Sequence, residues 1–229
     1  MKNLFHTIAI AALSLSFNSW VQADILAEYK FPGTSLTSND ASTTWETSDI
    51  SAGAGVPMTV SGTEGNPAPG IEITFNDFNY ANLGISLAND AYYSFTVTPD
   101  ASTQLDFTNL SFDMYKSSGA GATISVTVFS SVDGFAETGD AIGSGTLVGA
   151  SESAAFFSRS VALSSLPTVT TATEFRLYLD DGGATNNGND FRLDNIVLNG
   201  AGAVIPEPAS IALMIQFGLL LLIARRRRA

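Results

Sequence analysis

The sequence has no cysteine, and its single histidine is His6. Without cysteine the chain can form no disulfide, no thiolate metal site and no cysteine nucleophile. His6 lies in an apolar N-terminal stretch that is typical of a removable signal, so we expect the mature product to have no histidine. These absences exclude Ser-His-Asp triads, histidine-ligated zinc sites and a histidine general base.

Basic residues are scarce in the body of the chain. Five of the ten lie near its ends (Lys2 and the arginines of 225–228), and residues 24–205 hold 21 acids against 5 bases, a net charge of −16. So acidic a body repels nucleic acid and anionic membrane surfaces, and we expect no nucleic-acid partner. A chain of 229 residues has room for one domain with a single core plus targeting segments.

Residues 1–23 have the three parts of a secretory signal peptide. Lys2 gives a basic start, residues 8–17 are apolar, and 21–23 have the small-x-small pattern that a signal peptidase accepts. The apolar run is too short to span a bilayer. We expect cleavage between Ala23 and Asp24, and a buried N-terminal helix is the alternative.

The C-terminus combines a proline-rich motif, an apolar stretch and a basic cluster. Residues 209–224 are apolar apart from Gln216 and the polar Ser210 near their start, and as a helix they extend about 24 Å. This is slightly shorter than a hydrocarbon core of about 30 Å, which a transmembrane helix can accommodate. By the positive-inside rule the arginine end of 225–229 stays cytoplasmic and residues 24–208 lie outside. The motif before the helix is Pro206, Glu207 and Pro208, and the cluster after it is Arg225, Arg226, Arg227 and Arg228.

These three features, in this order at the end of the chain, resemble the PEP-CTERM protein-sorting signal of bacteria. The resemblance covers about the last 25 residues. It implies that Pro206, Glu207 and Pro208 are recognised by an exosortase, a membrane cysteine protease that cuts near this motif. It also implies a brief anchorage in the inner membrane, followed by transfer to the cell surface or the extracellular matrix. A plain single-span anchor is the alternative.

Short alternating runs of apolar and polar residues dominate the body. Ser and Thr make up 43 of residues 24–205, and no window keeps a 3.6-residue apolar period. Such strands favour antiparallel sheets with one face on a core. We therefore predict an all-β fold, an antiparallel β-sandwich of jelly-roll type over residues 24–200, with a linker at 201–208. An irregular solenoid is the alternative, but no repeat period supports it.

Two of the predicted strands change their alternation midway. Leu105 and Phe107 give way to apolar residues at 110, 112 and 114, and Phe191 and Leu193 give way to those at 196 and 198. A shift of one residue moves side chains to the opposite face of a sheet. We therefore predict a bulge near Thr108 and Asn109 and another near Asp194 and Asn195.

Residues 93–200 are similar to the bodies of many PEP-CTERM surface proteins. A looser similarity links Asp194, which precedes Asn195 and Ile196, to the final strand of jelly-roll carbohydrate-binding modules. That similarity implies that Asp194 helps to hold a structural calcium ion. Glu28, in the predicted first strand, is the candidate second ligand.

A polar loop at 180–190 is a second candidate for calcium. Its hard oxygen donors and its glycines suit the ion, although the spacing does not match an EF-hand. Gly, Asn and Asp are also what an ordinary solvated hairpin loop uses, and this reading stays open. The candidate ligands here are Asp180, Asp181, Asn187 and Asp190.

No catalytic residues are predicted. Paired carboxylates suit glycoside hydrolysis, but nothing marks one pair out among the many acids. Aromatic side chains suit sugar binding if they face outward, although each of them could instead pack against the sheet: Tyr29, Trp45, Tyr80, Tyr92, Tyr93, Tyr115 and Tyr178. The sequence thus predicts a non-enzymatic, exported surface or matrix protein with exopolysaccharide as a candidate partner. The alternatives are a calcium-stabilised carbohydrate-binding module and a glycoside hydrolase or lyase.

Overall fold

The computed structural model describes residues 24–39, 42–61, 70–74, 80–116, 123–149, 152, 154–182 and 190–205. The predicted signal peptide, sorting motif, transmembrane helix and arginine cluster lie outside these ranges. Of the predicted processing residues only Asp24 lies within them, and it opens the first strand. None of the helices within these ranges has the length and apolar character needed to cross a membrane.

Antiparallel strands make up most of the described chain. One short α-helix, α1 (Leu83–Ala88), and two 3-10 helices, Pro32–Thr34 and Thr138–Asp140, accompany them within the described ranges. The strands within the described ranges are β1 (Asp24–Tyr29), β2 (Trp45–Thr47), β3 (Ser51–Ala52), β4 (Val60–Ser61), β5 (Gly70–Thr74), β6 (Tyr92–Pro99), β7 (Thr103–Lys116), β8 (Ile124–Ser130), β9 (Gly143–Leu147), β10 (Phe156–Ala162), β11 (Thr173–Asp180) and β12 (Asp190–Val204).

The strands form two sheets. The first sheet has the order β10-β7-β12-β5-β4, with β1 also paired to β12. The second sheet has the order β2-β6-β11-β8-β9, with β3 also paired to β6. From β5 to β8 successive strands alternate between the sheets. This confirms the predicted antiparallel β-sandwich and excludes the solenoid alternative.

The core lies between the sheets and is rich in aromatic rings. In the second sheet, Phe95 and Phe175 stack with their ring centroids 5.6 Å apart. Phe107, from the first sheet, meets Phe175 edge-on at 5.0 Å. All three side chains are buried, as the alternation of their strands predicts. Each such ring pair adds about 0.5–1.5 kcal/mol to the stabilisation from burial alone.

Both predicted bulges are present, and they lie in the two longest strands of the first sheet. The register of β12 on β7 shifts between Asn199 and Gly200, which face Asn109 and Phe107, so Thr108 is the extra residue. It shifts again between Asp194 and Val197, where Asn195 has a φ of +47°. The bulges let apolar side chains on either side of each shift point into the same core.

Two features differ from the sequence-based expectation. We predicted no helix in the body, but α1 forms because the Asn82 side chain accepts a hydrogen bond from the Ile85 backbone N–H at 3.1 Å. A helix of six residues is too short to show an apolar period. The chain also stays in the sheet beyond residue 200, since 201–204 pair with 103–106 of β7.

Candidate functional site

Trp45 is held at the edge of the second sheet, where β2 pairs with β6. Its indole Nε1 donates to the carbonyl oxygen of Leu26, in the first sheet, at 3.0 Å. Gly202 of β12 lies against the ring, since a Cβ added there would approach Cζ3 of Trp45 to 2.9 Å. The ring is half-buried and is fixed from the side of the first sheet.

Two adjoining clefts share Trp45, Glu46 and Ser42. Their volumes are about 390 Å³ and 300 Å³, within the lower range of small-molecule sites. The larger cleft is lined by Ser42, Thr43, Trp45, Glu46, Thr98, Pro99 and Asp100. The smaller is lined by Thr37, Ser38, Ser42, Trp45, Glu46 and Thr47. We call the two together the Trp45 cleft. It offers one aromatic ring, several hydroxyl groups and two carboxyl groups.

The Trp45 cleft is acidic. Glu46 is exposed and lines both parts, while Asp100 lines the larger part. The neighbouring Thr103 hydroxyl, together with the hydrogen bonds that the Ser102 N–H and hydroxyl donate to Asp100 Oδ1 at 3.0 and 3.1 Å, holds the pKa of the Asp100 carboxyl below its usual range, so this group is anionic at neutral pH. The residues that the structure places around either part include no lysine or arginine.

Asp180 and Asp181 are both predicted to bind calcium; Asp180 is the last residue of β11, and Asp181 directly follows it. Asp180 Oδ1 accepts a hydrogen bond from the Gly182 backbone N–H at 2.8 Å. Burial raises the pKa of the Asp180 carboxyl, and the charge of Asp181 raises it further. Asn187 lies outside the described residues, and Asp190 is the first residue of β12. The structure thus describes only part of this predicted set.

Asp194 and Glu28 lie on neighbouring strands of the first sheet. Asp194 is buried, and its Oδ1 accepts a hydrogen bond from the Asn195 backbone N–H at 2.7 Å. Glu28 forms an ion pair with Lys30 at 2.7 Å. Over the described ranges no group of three or more His, Cys, Asp and Glu side chains could hold a metal ion. Both calcium sites stay predictions, and calorimetry with calcium on the full chain tests them.

Three of the aromatic side chains proposed for sugar binding do not offer a free ring. Tyr29 and Tyr93 are core residues whose hydroxyls donate to the carbonyl oxygens of Ser48 and Pro57 at 2.6 and 2.7 Å. Tyr178 does lie on the polar phase of β11, but it is buried against Phe129 and Tyr92. Tyr29 and Tyr93 therefore do not face outward, and Tyr178 faces outward but is covered by its neighbours.

The outer face of the second sheet is organised around Arg176. Its guanidinium lies 4.3 Å from the ring centroid of Tyr92 and 3.9 Å from that of Phe135. It also forms an ion pair with Glu174 at 2.8 Å. The aromatic surfaces here are therefore occupied by this chain's own arginine, and the face is less suited to a ligand than the Trp45 cleft.

From the sequence, Trp45 is one of seven aromatic candidates, and the polar residues around it were missed. Glu46 and Asp100 come together because Glu46 pairs with Thr98 and Trp45 with Pro99 in the β2–β6 register. Asp100 directly follows the end of β6. One feature of the sequence could have indicated this site: Trp45 is the only tryptophan of residues 24–205, and its neighbours are mostly Ser and Thr.

No family model and no curated protein matches the chain. Among solved structures, the chain is similar to the CBM22-1 and GH10 modules of a Clostridium thermocellum endo-1,4-β-D-xylanase with xylohexaose, at 12% identity and a TM-score of 0.43. The similarity covers 80% of this chain and 30% of the xylanase chain. It is also similar to the CBM22-1 xylan-binding domain of Paenibacillus barcinonensis Xyn10C (14% identity, TM-score 0.42), covering 81% and 100%. A third is Caldicellulosiruptor saccharolyticus CBM27-1 with mannohexaose (11% identity, TM-score 0.37), covering 82% and 98%. These low values assign no ligand to this chain.

Proposed function

We propose that this protein is an exported, non-enzymatic module that binds a glycan chain in the Trp45 cleft. The observation that carries the proposal is a fixed indole ring shared by two adjoining clefts that are lined with hydroxyl and carboxyl groups. A pyranose ring has an apolar face that stacks on an aromatic ring and a rim of hydroxyls that form hydrogen bonds. Trp45 offers the ring for stacking, and Thr98 and Glu46 offer groups for the hydrogen bonds.

The shape of the Trp45 cleft favours a chain over a single sugar. Its two parts meet at Trp45, so consecutive sugar units could occupy them at the same time. Each added unit buries more apolar area and forms further hydrogen bonds. We expect affinity to rise from the monosaccharide to the trisaccharide and then to level off.

Asp100 is poorly suited to act as the general acid of a glycosidase. A glycosidase needs a general acid with a raised pKa close to a second carboxylate. The pKa of Asp100 is lowered instead. Asp180, whose pKa is raised, ends β11 and is not among the cleft residues. This supports binding without turnover, with no catalytic residue.

We propose the route to the cell surface from the two ends of the sequence. A signal peptidase cuts at Ala23 and Asp24, the helix at 209–224 holds the protein in the inner membrane, and an exosortase then cuts near Pro206, Glu207 and Pro208. The protein is thereby released to the cell surface or extracellular matrix, where exopolysaccharide is the available glycan. Intact-mass analysis of surface material tests this route, and a retained C-terminal helix in an exosortase-competent cell would contradict it.

A glycan array probed with the full chain tests the binding proposal. We expect saturable binding, and we expect Trp45→Ala to abolish it. Tyr115→Ala removes a half-buried ring from the first sheet and should leave the binding intact. Because Trp45 also supports the fold, Thr98→Val serves as a second cleft variant. Thr98 is exposed, and valine keeps its shape while it removes the hydroxyl.

Three results would count against this proposal. The absence of saturable binding to any glycan would leave a purely structural surface protein. Binding that neither Trp45→Ala nor Thr98→Val weakens would place the glycan elsewhere. Turnover of a bound glycan that a single Asp or Glu substitution abolishes would make the protein a glycosidase or lyase.

A further inference from the structure

We infer that the Trp45 cleft selects its ligand by charge: it accepts uncharged glycan chains and rejects chains of uronate or sulfated sugars. This inference rests on the proposed function and names the class of glycan. It comes from the placement of Glu46 in both parts of the cleft and of Asp100 in the larger part.

The two carboxylates are placed where they would repel an anionic chain along its whole length. Glu46 lines both parts beside Trp45, so a sugar stacked on the indole from either part lies near its charge. Asp100 adds a second charge at the larger part, and the N–H and hydroxyl of Ser102 donate hydrogen bonds to its carboxylate at 3.0 and 3.1 Å. Uncharged hydroxyls can instead donate hydrogen bonds to these oxygens, which charge strengthens.

None of the basic side chains that the structure describes lines either part of the Trp45 cleft. The five basic residues of 24–205 are all described, and each is paired with a carboxylate, stacked on a ring or buried. Three of them form ion pairs: Lys30 with Glu28, Arg159 with Glu152, and Arg176 with Glu174. The guanidinium of Arg192 lies 4.5 Å from the ring centroid of Tyr115. Lys116 is buried. The net charge of residues 24–205 is −16, so the long-range field also disfavours an anionic ligand.

The test uses the fluorescence of Trp45 in the full chain. The chain has two tryptophans, so Trp20→Phe leaves Trp45 as the only one, and excitation at the long-wavelength edge of indole absorption avoids the tyrosines. The probes are neutral hexamers of glucose, mannose and xylose, and anionic hexamers of glucuronate, mannuronate and galacturonate. We expect the best neutral hexamer to bind at least about tenfold more tightly than any anionic one at low salt. Raising the salt to about 1 M should lower the ratio of anionic to neutral dissociation constants, because the Debye length falls to about 3 Å.

Charge variants connect the selectivity to the cleft. Glu46→Gln should lower the ratio of anionic to neutral dissociation constants, and Glu46→Lys should lower it further. Asp133→Asn is the matched control, because it removes the same charge from an exposed residue that follows β8, three strands from β2 in the second sheet. This control should leave the ratio unchanged.

The outcomes separate the inference from the proposed function. Anionic hexamers that bind as tightly as neutral ones overturn the inference and leave glycan binding intact. A ratio that Glu46→Lys does not change also overturns it, since the cleft charge is then not the cause. Binding of no hexamer at all overturns the proposed function and the inference together.

Discussion

The indole Nε1 of Trp45 donates a hydrogen bond to the carbonyl oxygen of Leu26 at 3.0 Å, and this bond connects an edge strand of the second sheet to β1 of the first. Thr47 Oγ1 donates to the same oxygen at 3.2 Å. The ring that we propose to bind a glycan is therefore also a connection between the two sheets. Function and stability at this position can be separated only with graded substitutions.

Trp45→Phe should destabilise the protein slightly, and Trp45→Ala should destabilise it more. Phenylalanine keeps a ring but loses the donor to Leu26, which costs about 0.5–1.5 kcal/mol, because Thr47 still satisfies that oxygen. Alanine also removes the buried part of the ring, for a total of about 2–3 kcal/mol. Urea unfolding measures both free energies. Equal costs for the two variants would show that the ring itself adds nothing to stability.

Gly202→Ala should weaken both glycan binding and the fold. The new Cβ would lie 2.9 Å from Cζ3 of Trp45, closer than a real Cβ atom approaches a neighbour, so the indole must shift. A displaced ring no longer forms the shared wall of the cleft. We expect a loss of affinity of about threefold or more and a cost of about 1–3 kcal/mol in the free energy of unfolding. Titration of Trp45 fluorescence with the best array ligand measures the first effect.

Gly139→Ala is the matched control for this substitution. A Cβ at residue 139 meets nothing within 4 Å, so both affinity and stability should stay at the parent values. An unchanged affinity in Gly202→Ala would indicate that the glycan does not use the face of Trp45.

The bulge in β12 depends on Asn195. Its φ of +47° lies in the left-handed region, which asparagine tolerates better than alanine. Its Nδ2 also donates to Asp113 Oδ2 at 2.8 Å. Asn195→Ala should therefore cost about 1–3 kcal/mol in the free energy of unfolding, and Asn195→Gly should cost less because glycine removes the strain. If glycine proves more damaging than alanine, strain is not the main effect.

The sequence predicted this bulge but not the cleft, and the reason is physical. A phase shift is local, since Leu193 and Ile196 cannot both face the core unless an extra residue lies between them. The cleft depends instead on which strands are neighbours. Glu46 and Asp100 meet only because β2, three residues long, pairs with the end of β6. Alternation within one strand carries no information about its partner, so this site could not be derived from periodicity.

Burial of the tyrosines predicts a loss of stability at high pH. Burial raises the pKa of the Tyr93 phenol far above its usual value of about 10. Below pH of about 10 the phenol is protonated in the folded and the unfolded chain, so its contribution is fully present. Above that pH only the unfolded chain loses the proton, and stability should fall by up to about 1.4 kcal/mol per pH unit for each such tyrosine. Tyr29 should also make stability fall at high pH, because burial and the charge of Asp49 both raise its pKa.

Tyr93→Phe tests this prediction, because it removes the ionising group and keeps the ring. The variant should be less stable than the parent at pH of about 8 by about 1 kcal/mol, since the bond to the Pro57 carbonyl oxygen is lost. Its free energy of unfolding should then fall less steeply than that of the parent between pH of about 10 and 11.5. The control is Tyr115→Phe, which makes the same substitution at a half-buried tyrosine. Parallel slopes for Tyr93→Phe and the parent would mean that Tyr93 can ionise in the folded protein, in conflict with its burial between the sheets.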